Sequence, residues 1–165
     1  MIILKKFQLS DITNEYLAWI NDKSLFQFSR HRKKYYSKDS AIKFYKELKN
    51  NNDYFFMIIK KEKNLNIKIG TLIGRVNKNK DCDLSILIIK QKKGYGLRAF
   101  KKAINFFFKK NIKVITGGTL ENNIGMLKIF KESGMKLKCK KFEKFDHFDS
   151  KKLIVQYYIK NPKTI

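Results

Sequence analysis

The chain has 165 residues, 43% of them hydrophobic and 14% aromatic, enough for one compact domain with a real core and too apolar for a disordered polymer. Lys and Arg number 38 against 14 Asp and Glu, giving a formal net charge of +24 that favours anionic partners. Cys82 and Cys139 form no C-x-x-C pair, no run approaches the roughly 18 apolar residues of a membrane span, and no signal-peptide pattern opens the chain. A single cytoplasmic domain over 1–165, without metal or disulfide, is the expectation.

Residues 1–7 read as a strand. Ser10 or Asp11 caps a helix bearing Ile12, Tyr16, Leu17 and Ile20 at helical spacing, which Asn21 and Asp22 end. A basic stretch over 29–34 leads to Ser37 or Asp39 as the cap of a second helix with Ile42, Phe44, Tyr45 and Leu48. Two β-prone runs over 54–59 and 67–76 pair as a hairpin. The run over 84–89 is apolar nearly throughout, as expected of a central strand buried on both faces. Gly94 and Gly96 then open a helix over 97–110 whose inner stripe is Phe100, Ala103, Ile104 and Phe107. A strand over 113–119 follows, parallel to the central one because a strand–helix–strand crossover is right-handed. A helix over 124–133 stops at Gly134, and strands over 136–145 and 151–159 close the fold around an acidic and aromatic turn. The order is βααβββαβαββ, a mixed α/β sheet with one parallel step among antiparallel hairpins.

The charge is lopsided: Arg occurs only at Arg30, Arg32, Arg75 and Arg98, and the remainder is Lys in a sequence rich in Ile and Asn, the mix that codon choice in an AT-rich genome produces. Most of these lysines read as solvated surface whose summed field draws anions. No helix-turn-helix, RNP or zinc signature accompanies them, and Lys in place of Arg argues against base readout, so specific nucleic-acid binding is not expected.

Two segments carry chemistry. Gln91-Lys92-Lys93-Gly94-Tyr95-Gly96-Leu97 lies between the central strand and the long helix, where two glycines permit a tight turn and the helix N-terminus offers N–H groups to a pyrophosphate. It lacks the Walker spacing, and it follows the fourth strand, not an opening βαβ unit, so nucleotide-triphosphate and nicotinamide sites are disfavoured. The second segment, residues 116–135, ends a strand in Gly117 and Gly118, passes Asn123, and runs a helix with Ile129 and Phe130 into Gly134.

With Q-x-x-G-x-G at Gln91 to Gly96, Asn123 and Gly134, the chain resembles the GNAT superfamily of N-acetyltransferases, and the element order is that of the GNAT fold. The likeness is closest to the branch of ribosomal-protein alanine acetyltransferases and bacterial amino-sugar acetyltransferases. It is carried by Tyr16, Leu17, Trp19, Asn21 and Asp22, by Asp83 to Ile88, and by the glycine, Asn and Phe positions between Gly117 and Phe130, where Met126 replaces the usual Ser.

The resemblance implies acetyl-CoA held between two splayed parallel strands by Ile88, Ile89, Lys90, Gln91, Lys92, Lys93, Gly94, Tyr95, Gly96, Leu97, Asn123 and Phe130. The Ile88 N–H is the implied oxyanion donor, and Asp83 is the first candidate for general base, ahead of Asp81 and Glu121. Relatives often place a Tyr where Phe130 stands, so a side-chain general acid is not expected. Asn123 also reads as a helix N-cap and Phe130 as a core aromatic. Trp19, Arg30, His31 and Arg32 are the acceptor-side candidates, with Tyr35 and Tyr36 available for stacking, whereas His147 has no evident partner. The acceptor expected is the primary amine of a nucleotide-linked amino sugar in surface-glycan synthesis. A protein N-terminus and a non-catalytic acetyl-CoA sensor are the alternatives, and a homodimer is left open.

Overall fold

The computed structural model describes residues 1–29, 34–90, 93–144, 148 and 150–164, the side chain of residue 164 apart. Its elements in chain order are β1 (Ile2–Lys6), α1 (Asn14–Asn21), α2 (Lys38–Asn50), β2 (Tyr54–Glu62), β3 (Leu65–Val76), β4 (Asp81–Ile88), α3 (Tyr95–Lys109), β5 (Val114–Leu120), α4 (Ile124–Glu132), β6 (Lys136–Glu143) and β7 (Lys152–Lys160). Short 3-10 turns lie at Leu9–Asp11 and Pro162–Thr164. The sequence-derived order is therefore observed.

The first helix begins later than its apolar spacing suggested. Thr13 is its cap, accepting from the Tyr16 N–H at 3.2 Å. Asp11 instead accepts from the Gln8 N–H at 2.9 Å and pairs with Lys68 at 3.0 Å, closing the 3-10 turn against β3. Ser37 caps α2 as expected, accepting from the Ser40 N–H.

Seven strands form one sheet in the order β1-β2-β3-β4-β5-β7-β6, in which only β4 and β5 run parallel. Two apolar layers cover it. On one face α3 and α4 bury Phe100, Ala103, Phe107 and Phe130 against Ile58, Leu72, Leu84 and Ile115. On the other, α1 and α2 pack Tyr16, Trp19, Ala41 and Leu48 onto Phe55, Met57 and Ile59. Phe7, Phe100, Phe107 and Phe130 are all but fully enclosed, each burial contributing about 1.5–3 kcal/mol.

The second layer does not extend over the whole sheet, and this corrects the expectation for β4. Cys82 and Leu84 are buried under α3, but Asp83 and Ser85, pointing the opposite way, are exposed. The strand is central, fourth of seven, yet one face of its first half is open to solvent. That open face becomes the site.

Candidate active site

β4 and β5 pair over only three residues, Asp81↔Val114, Cys82↔Ile115 and Asp83↔Thr116. Beyond Asp83 the strands part: β5 stays paired to β7 through Leu120, and β4 stays paired to β3 through Ile88. The Ile89 N–H donates to the Ile69 carbonyl at 3.0 Å, so backbone alternation turns residues 83, 85, 87 and 89 toward β3. The Leu84 N–H completes the Asp83↔Thr116 pairing, and the Leu84 C=O with the N–H and C=O groups of Ile86 and Ile88 faces the gap. An extended amide chain laid in the gap would meet the hydrogen-bonding groups that a sheet partner would otherwise take.

The wide end of the gap meets the N-terminus of α3. Helices α1, α2 and α4 each have a side-chain oxygen at the N-cap, whereas α3 has Gly94 there, left-handed at φ 67°, with no side-chain cap bond. No acidic residue occupies its first turn. The first intrahelical bond runs from the Arg98 N–H to the Gly94 carbonyl, so the N–H groups of Tyr95, Gly96 and Leu97 lie in the unbonded first turn. Lys93 and Arg98 border them, Arg98 donating to the Lys93 carbonyl at 3.3 Å and stacking on the Tyr95 ring, with Lys60 on the same ring. The arrangement suits an anion of the size of a pyrophosphate.

The two glycines of this turn do different work. A Cβ on Gly94 would meet nothing within 4 Å, so its demand is conformational. A Cβ on Gly96 would come within 2.9 Å of Ile129 Cδ1 and 3.5 Å of Ile88 Cγ1, so this glycine lets α3 sit close against α4 and the end of β4.

Asp83 lies at the apex of the gap, on the face away from α3. Its Oδ1 accepts from the Thr116 hydroxyl at 3.1 Å. Although an open path leads to solvent, the surrounding walls strip enough water from the carboxyl to raise its pKa, against the opposing pull of Thr116 and the Arg75 guanidinium. Asp83, Thr116, Arg75 and Lys138 line a cleft of about 340 Å³ together with Asn77 and Asp81. Glu121, an alternative base, is tied to Lys140 at 3.0 Å. Asp81 lines the same cleft, on the paired stretch of β4 and β5, and accepts from the Asn77 side chain at 3.5 Å.

Asn123 is the N-cap of α4: its Oδ1 accepts from the Met126 N–H at 3.2 Å and its Nδ2 donates to Thr119 Oγ1 at 2.9 Å. Asn123→Ala should cost about 1 kcal/mol of stability in a denaturant titration, as the loss of a cap does.

Of the two readings of Phe130 the core aromatic holds, and Trp19 lies elsewhere than the acceptor side. Phe130 is wholly buried, stacked on Tyr157 at a centroid distance of 5.1 Å with its ring edge against Gly117, and presents no surface to a ligand. Trp19 is buried in the α1–α2 layer, edge-on to Tyr16, and offers no free face for stacking on an acceptor. Arg30, His31, Arg32, Gln91, Lys92 and His147 lie outside the described residues.

Sequence reasoning gave Asn21 as a helix end and as part of the family likeness, but not as a tether between segments. Its side chain both accepts from the Tyr36 N–H at 2.8 Å and donates to the Tyr36 carbonyl at 2.9 Å, tying the end of α1 to the residues just before α2. Arg75 and Lys138 were also passed over, because they come together only once the strands are assembled in the order β3-β4-β5-β7-β6.

The family model for the acetyltransferase (GNAT) domain matches residues 1–136. The chain belongs to the GNAT acetyltransferase family and is an N-acetyltransferase of that type. Among solved structures it is similar to the spermidine N-acetyltransferase of Vibrio cholerae in complex with CoA and spermine, at 17% identity and a TM-score of 0.86 over 98% of this chain and 96% of that one. It is also similar to an N-acetyltransferase of Staphylococcus aureus Mu50, at 15% identity and a TM-score of 0.80 over 98% and 99% of the two chains. A GNAT-family acetyltransferase of Bacillus anthracis shares 14% identity at a TM-score of 0.79, over 97% and 95%. No curated protein matches the sequence.

Proposed function

We propose that the gap between β4 and β5 takes acetyl-CoA and that the open face beside Asp83 takes the primary amine of an anionic small molecule, with a nucleotide-linked amino sugar as the specific acceptor. The observation that carries the reading is the parting of two parallel strands beyond Asp83, opening onto a helix N-terminus without a side-chain cap. In this reading the pantetheine amides pair with Leu84, Ile86 and Ile88, and the pyrophosphate rests on the N–H groups of Tyr95, Gly96 and Leu97. Ile89, Lys90, Gln91, Lys92, Lys93 and Gly94 flank that path, and Asn123 shapes it through the α4 cap.

Acetyl-CoA supplies an activated acyl group. The chain's own part is to donate a backbone N–H from the gap side of β4, near its parting from β5, to the thioester oxygen as negative charge grows there, and to receive the amine's proton on Asp83 through water. The Ile88 N–H, five residues and about 16 Å along the strand from Asp83, serves the pantetheine arm and not the thioester. A nitrogen–carbon bond forms as the carbon–sulfur bond breaks. The leaving thiolate takes its proton from solvent, since Phe130 has none to give.

The charge of +24 supports an anionic acceptor and opposes a polycation such as spermine, although the Vibrio neighbour was solved with one. Thiol release from acetyl-CoA, measured against nucleotide amino sugars, N-terminal peptides and spermine, tests the assignment. Turnover on the nucleotide sugar is expected; faster turnover on spermine or on a peptide would assign the acceptor to that class instead.

A further inference from the structure

The cleft at Asp83 carries charge of both signs in an order that specifies more about the acceptor. Arg75 and Asp83 are paired across β3 and β4, and Asp83 and Thr116 across β4 and β5, so the three side chains stand in a row on one face. Lys138 completes the wall from β6, at the register shift between Leu137 and Cys139. Neither Arg75 nor Lys138 forms an ion pair among the described residues, although both are within a cleft that holds two carboxylates. Arg75 is notable in a chain with four arginines: Arg98 is engaged at the α3 entry, Arg30 and Arg32 lie outside the described residues, and Arg75 faces the cleft. A guanidinium presents a planar fork that matches a carboxylate or phosphate with two parallel hydrogen bonds, which an ammonium does not.

We propose that Arg75 and Lys138 hold an anionic group of the acceptor itself, so that the substrate is a compact zwitterion: a primary amine directed at Asp83, with a carboxylate or phosphate a few ångströms away on the Arg75–Lys138 side. This rests on the reading of Asp83 as the group that faces the amine, and it narrows that reading to acceptors whose charge lies close to the nitrogen. The cleft of about 340 Å³ is at the small end of ligand pockets and suits such a molecule, or the sugar-phosphate end of a larger one. Amino acids and phosphorylated amino sugars share this chemistry. Thr116, which donates to Asp83, leaves the second carboxylate oxygen of Asp83 for the amine.

The test is a titration of CoA-saturated protein with alanine, glucosamine 1-phosphate, glucosamine and spermine, repeated with the Arg75→Gln/Lys138→Gln double variant. One of the two zwitterions is expected to bind at least tenfold more tightly than glucosamine and spermine, and to lose at least tenfold in the double variant, while glucosamine is unaffected. Tighter binding of alanine points to an amino acid, and of glucosamine 1-phosphate to a sugar phosphate. Equal or better binding of glucosamine or spermine, unchanged zwitterion affinity in the double variant, or no binding of either zwitterion overturns the inference. Acetyl-CoA titrated into the wild type in parallel separates the failures: if it does not bind, the reading of the gap itself is wrong; if it binds, the acceptor inference alone has failed.

Discussion

Asp83→Asn is expected to lower kcat with the true acceptor by about a hundredfold or more, the usual contribution of a positioned general base, and to leave acetyl-CoA affinity unchanged. The substitution keeps the size of the side chain and an oxygen that can accept from Thr116, so the apex of the gap stays in place. What is lost is the ability to take a proton. The sign of the pKa shift supplies a second readout. Burial raises the Asp83 carboxyl, so the folded state holds this proton more tightly than the unfolded chain and the charged form opposes folding. Stability from this group is greatest below the ordinary carboxylate range and falls as pH rises through its elevated value. At pH 7 the Asn variant should therefore melt at the same temperature as the wild type or higher, even as its activity collapses. The wild-type kcat/KM profile should rise with pH along a limb above about pH 4, where an ordinary Asp titrates. A variant that loses activity and stability together would mark Asp83 as a structural residue.

Gly96→Val is expected to raise the dissociation constant for acetyl-CoA by roughly a hundredfold. A Cβ at this position already falls 2.9 Å from Ile129 Cδ1, and two further methyl groups leave no room between α3, α4 and the end of β4. Overpacking of this kind costs about 1–3 kcal/mol in stability, and it is relieved by moving the first turn of α3 outward. The N–H groups of that turn move with it. Losing two charge-assisted hydrogen bonds, at about 1.5 kcal/mol or more each, accounts for the two decades. Gly94→Ala is the contrasting variant. It meets no neighbour, and the cost is the left-handed φ of 67°, about 1 kcal/mol of stability, with acetyl-CoA affinity nearly intact. Calorimetry on both, with circular dichroism to confirm folding, separates the two roles of the Gly-x-Gly turn.

Much of this was legible in the chain because local and long-range signals agree. The apolar stripe of α3, the glycine that stops α4 at φ 81°, and the crossover from β4 to β5 each have one reading at the level of sequence. The errors have physical causes. The start of α1 was misjudged because Asp11 looks like a cap, and its real partner, Lys68, is 57 residues away. β4 read as doubly buried because Leu84 to Ile89 is apolar at every position but Ser85; what the pattern does not reveal is that α1 and α2 stop short of its first half. Trp19 was assigned to the acceptor by position and is claimed by the core; for Phe130 the resemblance pointed to the cofactor and the helical spacing to the core, and the core holds it. The glycine turn was visible in six residues of sequence. The Arg75–Asp83–Thr116–Lys138 row was not, since four separate strands contribute one residue each and no spacing along the chain connects them.

In the proposed reading the parted strands and the α3 N-terminus form an acetyl-CoA site. Calorimetric titration of the wild-type protein with acetyl-CoA tests it most directly. Saturable binding of one molecule per chain is expected, weakened by Gly96→Val and not by Asp83→Asn. Absence of binding, or binding indifferent to Gly96→Val, would contradict it.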